Sequence, residues 1–468
     1  MTGWFIRGEK WAELQAASLA VVLASQRESG LWTLPTSEHE RALGYSKPNT
    51  VEGRARQEDA FGFDGISLAW LALSVLETAL GRIPTKILSD ALKALETLRS
   101  NNASYGRRGD IWKAGTGVNE SARHSAMALL ILLEHGPVAT PKYMPADCLP
   151  TVLWLLSTEL SSGGWCYQEA HRSNGAEPIS TAAVIAALVQ FECRSLESNA
   201  LDAALRGELE KAIQRGFLLL VNSFADATWA FEHPHIETQV ADTMQVFDFL
   251  VRTLQSTSLC ANIKNACSLV GQLFERSLAI ELPGGMPAHK GGRMPMPNAT
   301  MSTLLIMVRL RRLGVFQIDE PRFCAFRAAA ERTMNRSSAW TQIALSDWAT
   351  VCQLVTELGQ AQVQIDSAIV ERAASARRAG FAGRLTKADV RRLPRLSRAP
   401  ILFALSRGQP GMIPSGNWEM RYRNLPGIIR VLAASVPGLA LAELVDHFNW
   451  IFQHASGLVG ALVLAASR

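Results

Sequence analysis

Gln26-Arg-Glu-Ser-Gly30-Leu-Trp32 constrains this chain more than any other stretch, because looser copies of it return along the sequence. In each copy an apolar run ends in a turn of small residues, the turn closes on Trp, and a second apolar run follows. The copies are Ser161-Ser-Gly-Gly-Trp165, Ala225-Asp-Ala-Thr-Trp229 and Asn335-Arg-Ser-Ser-Ala-Trp340. Asn101–Gly106 through Trp112, and Gly284-Gly-Met286, are looser still. A helix-pair unit returning every roughly 50 to 80 residues predicts a stacked or closed array of hairpins.

Six pairs are read from the periodicity. The first helices are expected at 9–26, 86–100, 147–160, 206–222, 262–278 and 321–334, and the second at 62–80, 119–135, 178–192, 237–254, 298–313 and 340–358. The second helices are apolar on most faces, as in Ser125-Ala-Met-Ala-Leu-Leu-Ile-Leu-Leu133, so they belong inside. The first helices carry charge on one side, as at Lys86, Asp90, Lys93 and Glu96, so they belong outside. Strand-like alternation is scarce. The expected class is all-α: an (α/α)6 toroid of six hairpins over residues 1–358, with a helical extension over 359–468. A solenoid of the same pairs is the alternative, and six pairs of this length suit closure.

The 468 residues are 48% hydrophobic and 19% charged, an ordinary globular balance. Seven scattered cysteines without a CxxC pair fit reduced thiols and a cytoplasmic protein. The polar start, Met1 to Trp11, does not read as a secretory signal, and no uncharged apolar run reaches membrane-spanning length. The net charge of +5 is unevenly spread. Residues 359–468 hold 14 Lys/Arg against 6 Asp/Glu, and the rest 33 against 36.

The Gln-x3-Gly-x-Trp turn, with second helices opening Ser/Asp-Thr-Ala, resembles the repeats of the terpenoid cyclase and protein prenyltransferase superfamily over residues 9–358. The resemblance implies that Gln and Trp tie hairpins together outside the barrel and that a central cavity holds the ligand. Class II cyclases protonate an alkene with an Asp of Asp-x-Asp-Asp-Thr. The matching stretch here is Gln239-Val-Ala241-Asp242-Thr243, which places Ala241 at the proton-donating position. Asp242, Glu237 and His235, with His233 nearby, are the catalytic candidates if the chain is an enzyme. Asp242 reads equally well as a first-turn carboxylate complementing a helix dipole. Prenyltransferase zinc needs an Asp-x-Cys pair, which is missing. Asp147-Cys148 are adjacent; Cys166, His171, His233 and His235 could join a metal site but are more often packing and surface residues, so neither metal nor cofactor is expected.

The mouth of such a barrel collects helix N-termini, which favour anions. Arg123 and His124 sit there, Lys290 and Arg293 lie in a Gly-rich loop, and Arg54 and Arg56 lie in the loop 33–57, a candidate lid. Trp70 and Phe247 are expected to line the cavity with Arg123 and His124, as ligand-binding residues for a small hydrophobic or diphosphate-bearing molecule. Between Asp366 and Arg407 ten Lys/Arg face three acids, ahead of an apolar stretch. This pattern suits an anionic membrane surface or an acidic protein partner, and the absence of interleaved aromatics argues against nucleic acid. Attachment would be peripheral, at the inner membrane. The favoured function is a ligand-binding or protein-interaction module. The alternative is a non-standard terpenoid cyclase or prenyl-diphosphate-using transferase with its acid near Glu237 and Asp242.

Overall fold

A computed structural model describes residues 8–26, 30–32, 62–101, 110–112, 120–139, 145–167, 169–197, 201–229, 239–255, 265–335, 345–358, 367–381, 386–394 and 397. The described residues are helical almost throughout. One two-stranded hairpin pairs β1 (Arg99–Asn101) with β2 (Asp110–Trp112).

The helices in chain order are α1 (Gly8–Ala24), α2 (Gly62–Leu80), α3 (Thr85–Leu98), α4 (Ala122–Ala139), α5 (Pro145–Thr158), α6 (Pro178–Glu197), α7 (Ala203–Ser223) and α8 (Gln239–Leu254). They continue with α9 (Ala266–Ser277), α10 (Pro297–Arg312), α11 (Glu320–Asn335), α12 (Leu345–Glu357), α13 (Ser367–Phe381) and α14 (Lys387–Arg392). Each of the twelve expected helices has a counterpart within about five residues at either end. The second helices of the pairs are the even-numbered ones, from α2 to α12.

Burial separates the two sets. In α6 every residue from Ile179 to Val189 is buried. Each such Leu, Ile or Val removed from water contributes about 1.5–3 kcal/mol. The segment Pro178–Leu196 is long and apolar enough to cross a membrane, but it serves as a core helix, 78% buried. In α3 one stripe is buried, formed by Ile87, Leu88, Ala91, Leu92, Ala94 and Leu95, while Lys86 is 82% exposed. The odd helix α3 therefore covers even ones, whereas α1, expected outside, is buried throughout from Ala17 to Ala24 because α13 lies on it.

The even helices pack in a cycle of contacts: α2 on α4, α4 on α6, α6 on α8, α8 on α10, α10 on α12, and α12 back on α2. The odd helices lie against this set. α3 contacts α2 and α4, α5 contacts α4 and α6, and α1 contacts both α12 and α2. Thus the first described helix wedges between the last and first even helices.

Of the extension, α13 and α14 are described, and α13 packs on α1. Arg377, 8% exposed, donates from Nε to the Gln26 carbonyl and pairs through Nη2 with Asp90 at 3.1 Å. One arginine of the basic stretch therefore holds the extension on the bundle. Arg378, Arg391 and Arg392 are exposed. The apolar stretch from Arg423 onward lies outside the described residues.

Candidate functional site

The turns position the starts of the even helices. Trp32, Trp165 and Trp229 are fully buried, and each donates its indole N–H to a carbonyl near the end of the preceding odd helix: Val22 at 2.7 Å, Leu155 at 2.7 Å and Leu220 at 2.9 Å. Those carbonyls sit in helix ends that lack a full set of intrahelical donors, so the indole supplies one. Gln26 fastens the first turn, donating from Nε2 to its own Gly30 carbonyl and to Ile87 of α3. Thr181 and Thr300, one turn into α6 and α10, accept from the backbone N–H of Trp165 and Met286. These residues fix helix entry angles.

At the entrance end, Arg123 near the start of α4 is the one residue between Ser121 and Leu133 that is not fully buried. Its Nη2 reaches Gln245 Oε1 of α8 at 3.4 Å, and its guanidinium lies 5.9 Å from the Tyr167 ring centroid. α6 stands between α4 and α8 in the cycle, so the Arg123 contact spans two steps of it. Its Nε is buried without a hydrogen-bond partner. Among the described residues it has no carboxylate within ion-pair distance.

His124 is 1% exposed and points elsewhere. Its Nδ1 lies 2.7 Å from Ser121 Oγ, and that hydroxyl donates its only proton to the Tyr167 carbonyl at 2.9 Å. Ser121 Oγ must then accept from His124, which puts the proton on Nδ1. The imidazole thereby locks the first turn of α4 to the Tyr167 loop.

Aromatic packing joins two even helices that do not neighbour each other in the cycle. Trp70 of α2 stacks on Phe249 of α8 with centroids 4.7 Å apart and planes 21° from parallel. These helices lie three steps apart in the cycle, so the stack spans its centre. The Arg252 guanidinium covers Trp70 at 4.4 Å. Trp70 is 2% exposed. Phe247 is buried on another side of α8, among Trp229, Phe224 and Phe274. Both rings were expected to line a ligand cavity, and the structure packs both.

Toward the far end lies an ionic layer. Arg309 of α10 bonds Asp248 of α8 and, from Nε at 2.6 Å, Glu357 of α12. Arg252 bonds Ser74 of α2 and lies 3.6 Å from Asp248 and 3.9 Å from Glu134 of α4. Gln353 of α12 also donates to Ser74. The arginines complement the C-terminal ends of the helices that carry or face them. Burial pushes the Glu134 carboxyl above the usual range, with Arg252 opposing. Burial, aided by the charge of Arg252, pushes His135 down to about 4. Five even helices thus meet through charge and hydrogen bonds.

Ala241 and Asp242 are half-buried on the first turn of α8. Glu237, His235 and His233 lie outside the described residues, as do Arg54, Arg56 and the loop 33–57. Lys290 pairs with Asp226 at 2.9 Å, and its loop seats on the start of α8, where Val240 N–H donates to Ala288. Among the described residues no group of three His, Cys, Asp or Glu side chains suits a metal ion. Sequence reasoning missed Asp248, Arg252 and Arg309. A signal existed: Phe247-Asp-Phe-Leu-Val-Arg252 sets two opposite charges four residues apart in an apolar helix, which flags a buried pair.

No protein-family model matches the chain, and no curated protein sequence matches it either.

Proposed function

We propose that this chain is a binding module built on an (α/α)6 toroid of the terpenoid cyclase and protein prenyltransferase type, without cyclisation chemistry, whose mouth takes a small anion-bearing ligand beside Arg123. The observation that carries the loss of cyclisation is the Trp70–Phe249 stack. A cyclase must enclose a folded isoprenoid in an apolar chamber and keep water from its cations. Here two aromatic rings and the Arg252 guanidinium occupy the middle of the even helices. Ala241, at the position where the resemblance calls for a proton donor, points the same way.

The return of α12 onto α2, with α1 against both, supports the toroid. Arg123 supports the anion: among the described residues its buried Nε has no partner, and its guanidinium meets an amide and an aromatic ring but no acid. A phosphate or carboxylate would give it the charge-assisted hydrogen bonds it lacks. The ligand sits shallow, above the stack.

Incubation with squalene, oxidosqualene and geranylgeranyl diphosphate, with product analysis by gas chromatography, should give no cyclised product. Isothermal titration with inorganic diphosphate should show binding that Arg123→Gln weakens about tenfold, the equivalent of one charge-assisted hydrogen bond. A cyclised product that disappears in Asp242→Asn would replace this reading with the enzyme. Diphosphate binding unaffected by Arg123→Gln would remove the anion site.

A further inference from the structure

The turns differ in how they meet the next odd helix. The first closes tightly on α3: a Cβ added at Gly30 would lie 2.0 Å from the Asp90 carbonyl oxygen and 3.1 Å from Ala94 Cβ. The turn before α6 closes on α7, with Gly216 so near that a Cβ there would lie 3.0 Å from the Trp165 ring. At the next turn Arg276 of α9 donates to the Phe224 carbonyl and covers its ring at 5.0 Å.

The turn at Leu282–Met286 does not close. Met286 stands where the others carry Trp. The nearest described atoms to a Cβ at Gly284 or Gly285 belong to Pro295 and to Thr300 of α10, not to α11. A cleft of about 590 Å³ opens instead between this turn and α11. Asp90 and Ala94, against which the first turn closes, are the sixth and tenth residues of α3. The sixth and tenth of α11 are Ala325 and Ala329, and both line the cleft.

The cleft has an apolar floor and a basic rim. Leu278, Phe326 and Ala329 are buried beneath it. Arg322, on one side, is paired with Glu281 at 2.9 Å. Arg332, on the other, is exposed and has no ion-pair partner among the described residues. The first seam shows what such a place accepts. There α13 lies on α1, and its Arg377 reaches across to the Gln26 carbonyl and the Asp90 carboxylate. An added helix is thus recognised at a turn seam by a charge opposite to its own. At the fifth seam the charge is reversed, with Ala325 in the place of Asp90 and arginines on the rim. Residues 398–468 carry six Lys/Arg against three Asp/Glu, the wrong sign for this rim.

We propose that the cleft between the Leu282–Met286 turn and α11 is a docking site for an acidic amphipathic helix of a partner protein. Its apolar side chains enter over Phe326 and Ala329, and its carboxylates meet Arg332. This mode reads a helix by spaced apolar anchors and flanking charge. The volume suits one or two large side chains.

The probe is a fluorescein-labelled 18-residue peptide with Leu and Phe anchors at i, i+4 and i+7 and Glu elsewhere. Its counterpart replaces every Glu with Lys. Anisotropy would be measured with the full chain, Arg332→Glu and Ala325→Trp. Ala325 is exposed, so the tryptophan fills the cleft without entering the core, and thermal melts confirm that each variant folds. The acidic peptide should bind and the basic one should not. Arg332→Glu should weaken binding by about tenfold or more, Ala325→Trp should abolish it, and added salt should weaken it. No binding of the acidic peptide up to millimolar concentration, or equal binding to all three proteins, would overturn the proposal. The result does not depend on Arg123, so the diphosphate experiment stands or falls separately.

Discussion

Phe249 lies against Trp70 at 4.7 Å although their helices are three steps apart in the cycle of even helices. Packing between them joins opposite sides of the bundle. Phe249→Ala should cost about 3–5 kcal/mol in urea unfolding, the range for a buried aromatic truncated in a core. It should also create a void that an apolar dye enters. A variant as stable as the wild type, with no added dye binding, would show that the stack does not hold the centre.

Arg309 is gripped by Asp248 and Glu357 in a layer where all three side chains are about a tenth exposed. Removing one partner leaves a buried charge unmatched. Asp248→Ala should therefore destabilise by about 3–5 kcal/mol, and the double change Asp248→Leu with Arg309→Met should cost less than the single one. Chemical denaturation of the three proteins tests that order.

Trp165 has two roles that separate experimentally. Trp165→Ala should cost about 3–5 kcal/mol through lost packing. Trp165→Phe keeps most of the ring and loses the bond to the Leu155 carbonyl, for about 1 kcal/mol plus a small cavity. Comparable losses in the two variants would assign the hydrogen bond the larger share.

His135, pushed down to about 4, makes stability depend on pH. A lowered folded value means that the unfolded chain takes the proton first. Stability therefore falls as pH drops from about 6.5 to about 4, by up to roughly 3 kcal/mol. Glu134 is shifted upward, so it favours the folded state as it protonates and offsets part of that loss. His135→Gln should lose less melting temperature than wild type between pH 7 and pH 4.5.

The exposed Arg391 and Arg392, with Arg395 and Arg398 of the same basic stretch outside the described residues, predict salt-sensitive attachment to an anionic surface. Cosedimentation with anionic liposomes should fall in Arg391/Arg392/Arg395/Arg398→Ala, by about 1 kcal/mol per well-placed residue at low salt. Equal, negligible binding by both proteins would leave the basic face to protein partners.

The helices were legible because their signals are local. The expected bounds of the second helix, 62–80, match α2 because an apolar run with helical spacing is written in consecutive residues. The turns were legible because Gly and Trp mark them. The centre was not. Phe247 and Phe249 are both aromatic residues on one apolar helix, but two residues turn the side chain by about 200°. Only three-dimensional packing selects Phe249 to meet Trp70 and sends Phe247 toward Trp229. Arg252 and Ser74, bonded across 178 residues of sequence, carry no mark of each other either. The open seam at Leu282–Met286 was legible only as a weak copy of the turn motif, because a cleft is defined by what fails to touch it.

The wedge of α1 between α12 and α2 carries a consequence for biosynthesis. About 320 residues separate Ala24 from Leu345. At about 5–20 residues per second, the apolar face of α1 waits roughly 15 to 65 seconds on the ribosome before α12 has been made to receive it. Leu19, Val22 and Leu23, fully buried in the finished molecule, are exposed to solvent or to a chaperone through that interval. The α2 neighbour of α1 follows soon after it, but the face that α12 covers is among the last to be buried, and aggregation during synthesis should depend on that face.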